Sequence, residues 1–164
     1  LAARGVKFFD IEPRVAMLSY SNFGSSKGII PEKALKAVKL AKEKYPDLIL
    51  DGDIQANVAF DTEIMREMYP FSALAKEGAN TLIFPNLASG NIAYNLLKEL
   101  ETADAVGPIL LGLKKPVHIL QLGSSVRSII NMASVAVVDA QSKSQSPTGD
   151  IVKRSKWWKR LKKN

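Results

Sequence analysis

Short apolar runs alternate with helix-like patterns through most of this sequence, and that alternation limits the fold more than any other feature. Three runs have the continuous apolar character of strands covered on both faces: residues 15–19, 48–50 and 81–84. A pattern with helical spacing follows each of them, at residues 31–45, 55–69 and 91–101. Strand and helix in this order predict the α/β class, with a parallel sheet flanked by helices on both faces.

The two ends of this alternating region carry further helical patterns. Residues 1–4 are typical of the last turn of a helix that Gly5 closes. Ser124 or Ser125 is a candidate cap for a last helix over about residues 126–141, which is apolar nearly all round. Such a helix must be buried on most of its surface, in a packed domain or at a subunit interface. We expect a homodimer or larger homo-oligomer held together through it.

Two finer expectations concern apolar side chains. The inner face of the helix over residues 91–101 is predicted to consist of Ile92, Leu96, Leu97 and Leu100. Residues 109–113 and 117–120 predict further extended segments, which the Lys114-Lys115-Pro116 sequence separates.

Cysteine is absent and histidine occurs once, which removes several kinds of chemistry. A disulfide framework, a thiolate zinc site and a cysteine nucleophile are excluded, and we expect an intracellular, cytoplasmic protein. His118 by itself weakens any Ser/His/Asp mechanism. Because it lies in an apolar run, it is more typical of a satisfied core histidine than of a base. No apolar run approaches the roughly 18 residues of a spanning helix, so a soluble chain is predicted.

The net charge of +7 belongs to the end of the chain. The basic excess lies in residues 142–164, whereas the charges of residues 1–141 balance. We therefore predict a folded domain over residues 1–141 and a basic tail over residues 142–164, and we expect no nucleic-acid partner. The tail holds both tryptophans. Its pattern fits a basic amphipathic helix that lies on an anionic membrane or on nucleic acid, but an extension that docks on a neighbouring surface is the favoured alternative.

Small polar residues follow each predicted strand, where open α/β sheets bind ligands. The three segments are residues 21–28, 51–55 and 86–91. Free backbone amides in such loops can wrap a phosphate, which indicates a nucleotide-like ligand; the alternative is that these residues only form turns and caps. Asp51 and Asp53 could share a metal ion or a proton, or could be the inward and outward acids of a strand end.

Five phrases together resemble the phosphate acetyltransferase family, and more closely the phosphotransacetylase-like C-terminal domain of bacterial NADP-dependent malic enzymes. They are E-P-R-V-A-M-L-S-Y-S-N-F-G-S at 12–25, D-G-D-I-Q-A-N-V-A at 51–59, F-P-N-L-A-S-G-N-I-A-Y at 84–94, G-P-I-L-L-G-L-K-K-P-V at 107–117 and V-V-D-A-Q at 137–141. The resemblance implies the second lobe of a two-lobed fold, similar to the isocitrate and isopropylmalate dehydrogenases, with an acyl-CoA cleft between the lobes.

The resemblance fails at the catalytic motif of the family. An active phosphotransacetylase has L-S-R-G where this sequence has Leu120 to Gly123, and an aspartate where this sequence has Ser128. Gln121 and Leu122 supply neither a base nor a cation. The resemblance therefore implies a regulatory domain that binds acetyl-CoA without turnover and depresses the malic-enzyme activity of another domain.

The cofactors of that activity, NADP and a divalent metal, would be held in an N-terminal domain outside this sequence, which begins at Leu1 without an initiator methionine. Loop position and the resemblance lead us to expect acetyl-CoA contacts at Ser21, Asn22, Ser25, Asn86, Ser89, Asn91, Lys114, Lys115 and Gln121. Two alternatives stay open. One is an active phosphate acetyltransferase that uses Ser124 or Ser125, and the other is a purely structural dimerisation module.

Overall fold

A computed structural model of the chain describes residues 1–100 and 105–144. They fall into two compact units. We call residues 12–100 the sheet unit, and residues 1–11 with 105–144 the helical unit. The elements in chain order are α1 (Ala2–Phe8), β1 (Arg14–Leu18), α2 (Ile29–Lys44), β2 (Ile49–Ile54), α3 (Ala56–Phe60), α4 (Thr62–Met68), β3 (Thr81–Ile83), α5 (Leu87–Glu99) and α6 (Val126–Ser144).

Three parallel strands in the order β2-β1-β3 form the sheet. The central strand β1 pairs Ala16 with Asp51 on one side and with Leu82 on the other. Val15 and Ala16 are both buried, and successive residues of a strand point to opposite faces. Both faces of β1 are therefore covered, and the predicted α/β class with a parallel sheet is confirmed.

The main core of the sheet unit lies between the strands and the chain that follows β2. This core contains Ala16 and Leu18 of β1 and Ile54 of β2, which pack against helices α3 and α4 and the segment that follows α4. The buried members contributed by α3, α4 and the segment after them are Val58, Ala59, Met65, Leu74, Ala75 and Ala79. On α2, Ala34 and Val38 are buried, and this helix packs along β2 and β1.

The helix at the start of the chain ends later than the sequence predicted. Gly5 lies inside α1, and a Cβ atom there would come within 2.9 Å of the Leu111 side chain. The helix ends at Phe8, and Asp10 adopts the left-handed conformation (φ 60°) while its amide donates to the carbonyl of Lys7. An aspartate thus takes the role expected of the glycine, because short polar residues tolerate this conformation better than most.

Helix α5 begins four residues before the predicted start. The side chain of Asn86 accepts a hydrogen bond from the amide of Ser89, which caps the helix at that point. The predicted inner face is wrong for this chain, since its four members are all exposed: Ile92, Leu96, Leu97 and Leu100. Their spacing places them on one face, but spacing alone does not supply the surface that would cover it.

Residues 109–113 and 117–120 were expected to be extended, but in the structure they form no strand. The described part of the chain has one sheet of three strands, and neither segment belongs to it. Pro108 and Pro116 lack an amide donor, and Gly112 has a positive φ of 92°. An apolar run forms a strand only where a neighbouring strand accepts its hydrogen bonds.

The last helix is confirmed, and Ser125 is its cap, because its hydroxyl accepts a hydrogen bond from the amide of Ser128. The expected burial is not reached within this chain. Met132 and Val135 are buried, but Val126 is 73% exposed and Ile130 59% exposed. The division at residue 141 and the tail stay predictions, because residues 145–164 lie outside the described residues.

Among the described helices, none is long and apolar enough to cross a membrane.

Replacing Met65 with alanine should lower the free energy of unfolding by about 2–5 kcal/mol, because its fully buried side chain leaves a cavity in the main core. Met68, on the same helix, is 66% exposed, and its replacement with alanine should change the stability by no more than about 0.5 kcal/mol. Urea denaturation of the two variants measures the difference. Equal losses would contradict the assignment of the core.

Candidate functional site

Parallel pairing brings the carboxyl ends of the three strands to one edge of the sheet. Ser19 follows β1, Gln55 follows β2 and Phe84 follows β3. The segments after β1 and β2 are hydrogen-bonded to one another, because those strands are neighbours. This edge is where doubly wound sheets bind ligands.

The loop after β1, residues 19–28, is held by the buried Asp53 of β2. The Ser19 hydroxyl donates to Asp53 Oδ2 (2.9 Å), and the Gly24 amide donates to Asp53 Oδ1 (2.8 Å). The Phe23 amide donates to the Asp53 carbonyl oxygen (2.7 Å). Asp53 is completely buried, and hydrogen bonds of this kind are what make a buried carboxylate tolerable. We call residues 19–28 the anchored loop.

A pair of amide side chains makes a second connection between the anchored loop and β2. The Gln55 backbone amide donates to Asn22 Oδ1 (2.8 Å), and Asn22 Nδ2 donates to Gln55 Oε1 (3.1 Å). Gln55 Nε2 also donates to the carbonyl of Tyr20 (2.8 Å). Both polar atoms of the Asn22 side chain, a predicted ligand contact, are therefore hydrogen-bonded to Gln55 and fix the loop.

The serines of the anchored loop divide between internal and exposed positions. Ser21 is fully buried, and its hydroxyl accepts from the Ser26 amide (3.1 Å) and lies 3.3 Å from the hydroxyl of Ser25. Ser25 is exposed, and its hydroxyl accepts from the Asn22 amide (3.0 Å). Of the three contacts predicted in this loop, Ser21 is buried, Asn22 is half-buried and Ser25 is exposed.

Asp51 has a separate set of partners. Lys42 of α2 forms an ion pair with its Oδ1 (2.8 Å), and the Ser72 hydroxyl and Ala73 amide donate to its Oδ2 (2.9 and 3.1 Å). Asp51 and Asp53 are both buried, so neither is the outward-facing acid that the sequence allowed. Within residues 1–100 and 105–144, no group of three or more histidine, aspartate or glutamate side chains could hold a metal ion.

The segment after β3 forms a capped helix start. Besides accepting from the Ser89 amide, Asn86 accepts the Ser89 hydroxyl at its carbonyl oxygen (3.0 Å). Asn91 Oδ1 accepts from Asn95 Nδ2 within α5 (3.1 Å). Lys33 of α2 donates to the carbonyl of Pro85 (3.0 Å), which ties this segment to the helix that follows the anchored loop.

The remaining predicted contacts, Lys114, Lys115 and Gln121, are exposed residues of the helical unit. The carbonyl of Gln121 accepts from the amide and the hydroxyl of Ser124, a turn that leads into α6. His118 is half-buried, and neither of its ring nitrogens has a hydrogen-bond partner among residues 1–100 and 105–144. The expected satisfaction of this core histidine is therefore wrong.

Sequence reasoning missed Ser19 and did not foresee that Asp53 holds a loop. It placed residues 51–55 after a strand, whereas residues 51–54 belong to β2 and only Gln55 follows it. The usable signal was their position. Ser19, Asp53 and Gln55 all lie at or just after the carboxyl end of β1 or β2. The carboxyl ends of neighbouring parallel strands lie side by side at one edge of a sheet. Which strands would be neighbours was decided by the topology.

A family model described as phosphate acetyl/butaryl transferase matches residues 1–137. The chain belongs to the phosphate acetyl/butaryl transferase family. The resemblance noted from the five phrases is confirmed, and the match extends from α1 into α6.

Malic enzymes and phosphate acetyltransferases are similar to the chain at nearly equal sequence identity. It is 45% identical over 141 residues to an NADP-dependent malic enzyme of Haemophilus influenzae, covering 86% of this chain and 18% of that protein. It is 45% identical over 139 residues to a phosphate acetyltransferase of Bacillus subtilis, covering 85% and 43%. The chain thus spans less than half the length of either relative.

Solved structures agree with this assignment. A phosphotransacetylase from Streptococcus pyogenes superposes with a TM-score of 0.77 at 42% identity, covering 88% of this chain and 43% of that one. A phosphotransacetylase from Staphylococcus aureus has the same TM-score at 36% identity.

Gly52 lies between the two buried acids in a conformation (φ 134°) that other residues rarely adopt. A Cβ atom there would come within 2.6 Å of the Met17 carbonyl oxygen. Replacing Gly52 with alanine should therefore cost at least about 1–3 kcal/mol of stability. The matched change at Gly90, inside α5 with ordinary contacts to Phe84, should stabilise by about 0.5–1 kcal/mol. Denaturation midpoints that shift in the same direction for both variants would contradict this account.

Proposed function

We propose that this chain is an acetyl-CoA-binding regulatory domain without acetyltransferase activity, in an NADP-dependent malic enzyme whose catalytic groups lie in another domain. The observation that carries the proposal is the pair Gln121 and Leu122, which stand where the family resemblance leads us to expect serine and arginine. The similarity to malic enzymes supports the choice of parent protein, although phosphate acetyltransferases match equally well.

The substitution matters because acetyl transfer between CoA and phosphate creates negative charge that must be stabilised. Phosphoryl oxygens and the developing oxyanion need cationic or strong hydrogen-bond donors, and the CoA thiol needs a base. The amide of Gln121 is neutral, and the Leu122 side chain is apolar and fully exposed. These two residues offer no proton acceptor of suitable basicity and no positive charge.

The two neighbouring serines do not favour the active-enzyme alternative. The Ser124 hydroxyl donates to the Gln121 carbonyl oxygen (2.7 Å), and the Ser125 hydroxyl caps α6. In the described part of the chain no hydrogen bond joins either hydroxyl to a histidine or a carboxylate that could activate it. Both serines have local structural roles instead.

Binding does not need the missing pair, because a CoA molecule is recognised by shape, apolar contacts and backbone amides. The anchored loop and the capped start of α5 supply small polar residues at the expected edge of the sheet. The proposal includes a two-lobed architecture. In it, this chain forms one wall of the acyl-CoA cleft, and another part of the parent protein forms the other wall.

Regulation would require that acetyl-CoA bind two states of the parent protein with different affinity. We propose that the state favoured by acetyl-CoA has the lower malic-enzyme activity. Malate decarboxylation itself would use NADP and a divalent metal held by the other domain. A cytoplasmic location is part of the same proposal.

The decisive experiment uses the intact protein that contains this chain. Isothermal titration calorimetry with acetyl-CoA should give saturable heat, while incubation with acetyl-CoA and phosphate should yield no acetyl phosphate. A Bacillus subtilis phosphate acetyltransferase serves as the positive control for the second assay. Phosphate-dependent formation of acetyl phosphate would replace this proposal with the active-enzyme alternative.

Single substitutions test the proposed contacts. Lys115→Ala should weaken acetyl-CoA binding by about 10- to 100-fold if the ammonium group meets a phosphate, since hydrogen bonds to charged groups contribute about 1.5–3 kcal/mol. Asn86→Ala should weaken binding several-fold by loosening the start of α5. The matched controls are Lys39→Ala and Asn57→Ala, which are exposed on other helices. Unchanged affinity in either test variant removes that residue from the site.

A structural role in assembly is a second candidate function, because α6 exposes a row of apolar side chains. Val126, Ile129, Ile130 and Val137 are each between 47% and 73% exposed. Burial of such side chains against a second copy would be favourable by about 25 cal/mol per Å². Ile130→Asp should therefore shift the sedimentation of the intact protein toward monomer. Unaltered sedimentation of the folded variant would count against an interface through α6.

A further inference from the structure

We infer that Asp53 is a positioning residue, whose carboxylate holds the anchored loop in the shape that meets acyl-CoA. This inference rests on the proposed binding function. It adds that the Asp53 carboxylate fixes the conformation of the anchored loop, which forms one wall of the proposed site. Asp53 does not contact the ligand itself, because its side chain is completely buried.

The first argument is that both oxygens of the Asp53 carboxylate are bonded to the same loop. The Ser19 hydroxyl reaches Oδ2, and the Gly24 amide reaches Oδ1. Ser19 also accepts from the Ser21 amide (2.8 Å), which carries the connection one step further along the loop. A buried carboxylate is unfavourable without such donors, so the loop and Asp53 stabilise each other.

The second argument is the backbone conformation that Asp53 supports. Phe23 and Gly24 both have positive φ, 50° and 83°. For a bulky residue such as phenylalanine this conformation is unfavourable and requires support from its surroundings. The amides of these two residues donate to Asp53, one to its carbonyl oxygen and one to its carboxylate. Asp53 thus holds the part of the loop that would otherwise relax.

The third argument is that the loop presents its accessible groups just beyond this point. Gly24, Ser25, Ser26 and Lys27 are exposed. The position of Ser25, Ser26 and Lys27 relative to the end of β2 depends on the left-handed residues Phe23 and Gly24 before them. If the loop relaxed, the fraction of molecules with a binding-competent site would fall, and the apparent affinity would fall in proportion.

Asp51 is a matched control within the same strand. It is also a buried aspartate, two residues earlier, but its described partners are Lys42, Gly52, Ser72 and Ala73. None of these belongs to the anchored loop. A purely structural role for buried acids in β2 predicts the same effect of both substitutions on binding, whereas a positioning role predicts a difference.

The experiment compares Asp53→Ala, Asp53→Asn and Asp51→Ala in the intact protein. Hydrogen exchange of the amides in residues 21–26 is measured without ligand, and acetyl-CoA affinity is measured by calorimetry. Asp53→Ala should speed exchange in the loop and, if one molecule in ten keeps the binding shape, weaken binding about tenfold. Asp51→Ala should lower the melting temperature but leave loop exchange and affinity unchanged.

The asparagine variant should restore both properties to near the wild-type level. Its Oδ1 can accept from the Gly24 amide, and its Nδ2 can donate to the Ser19 hydroxyl, which then donates to the Ser21 carbonyl oxygen 3.1 Å away. If Asp53→Ala does not fold, Ser19→Ala replaces it, because that change removes one of the loop bonds to the carboxylate. The expected effects are the same in direction.

Equal affinity in wild type and a folded Asp53→Ala or Ser19→Ala variant would overturn the inference and leave the proposed function standing. An equal loss of affinity in Asp51→Ala would also overturn it, because both acids would then act through stability. Absence of acetyl-CoA binding by the wild-type protein would overturn the proposed function, and the inference with it.

Discussion

The pairing of β1 with a parallel strand on each side is the constraint on which the rest of the described site depends. Because both faces of β1 are buried and both of its edges are paired, its register relative to β2 is well determined. The parallel direction then brings Ser19 to the end of β2, where Asp53 lies. A shift of one residue would turn Asp53 away from the anchored loop.

The two buried acids of β2 illustrate how one strand can serve both the fold and a site. Asp51 joins β2 to α2 through Lys42 and to the segment that begins at Ser72. Asp53 joins β2 to the anchored loop. Every described partner of the two carboxylates donates a hydrogen bond to them. Neither aspartate is arranged like an acid or a base that exchanges a proton with a substrate. The two carboxylates therefore fix the backbone around them. Under the proposed function, the loop that Asp53 fixes is one wall of the acetyl-CoA site.

Family membership also gives a context for the apolar side chains that α5 and α6 leave exposed. The relatives are more than twice as long as the region they share with this chain, so a surface covered in them can be uncovered here. The amphipathic patterns of these helices are real sequence signals. They report that a face is apolar, but the partner that covers such a face can belong to another part of a protein or to a second copy.

The sequence by itself determined the α/β class, the approximate positions of the three strands, a serine cap for α6 and the family, because these depend on local apolar spacing and on ordered motifs. It also marked the segments after β1 and β3 as candidate site, but it expected residues 51–55 to follow a strand, whereas residues 51–54 belong to β2. Only the tertiary structure decided that Asp51 and Asp53 have separate partners, that Asn22 and Ser21 fix the loop, and that residues 109–113 form no strand. The physical reason is that hydrogen-bond partners far apart in the chain are chosen by strand order and packing, which no local pattern encodes.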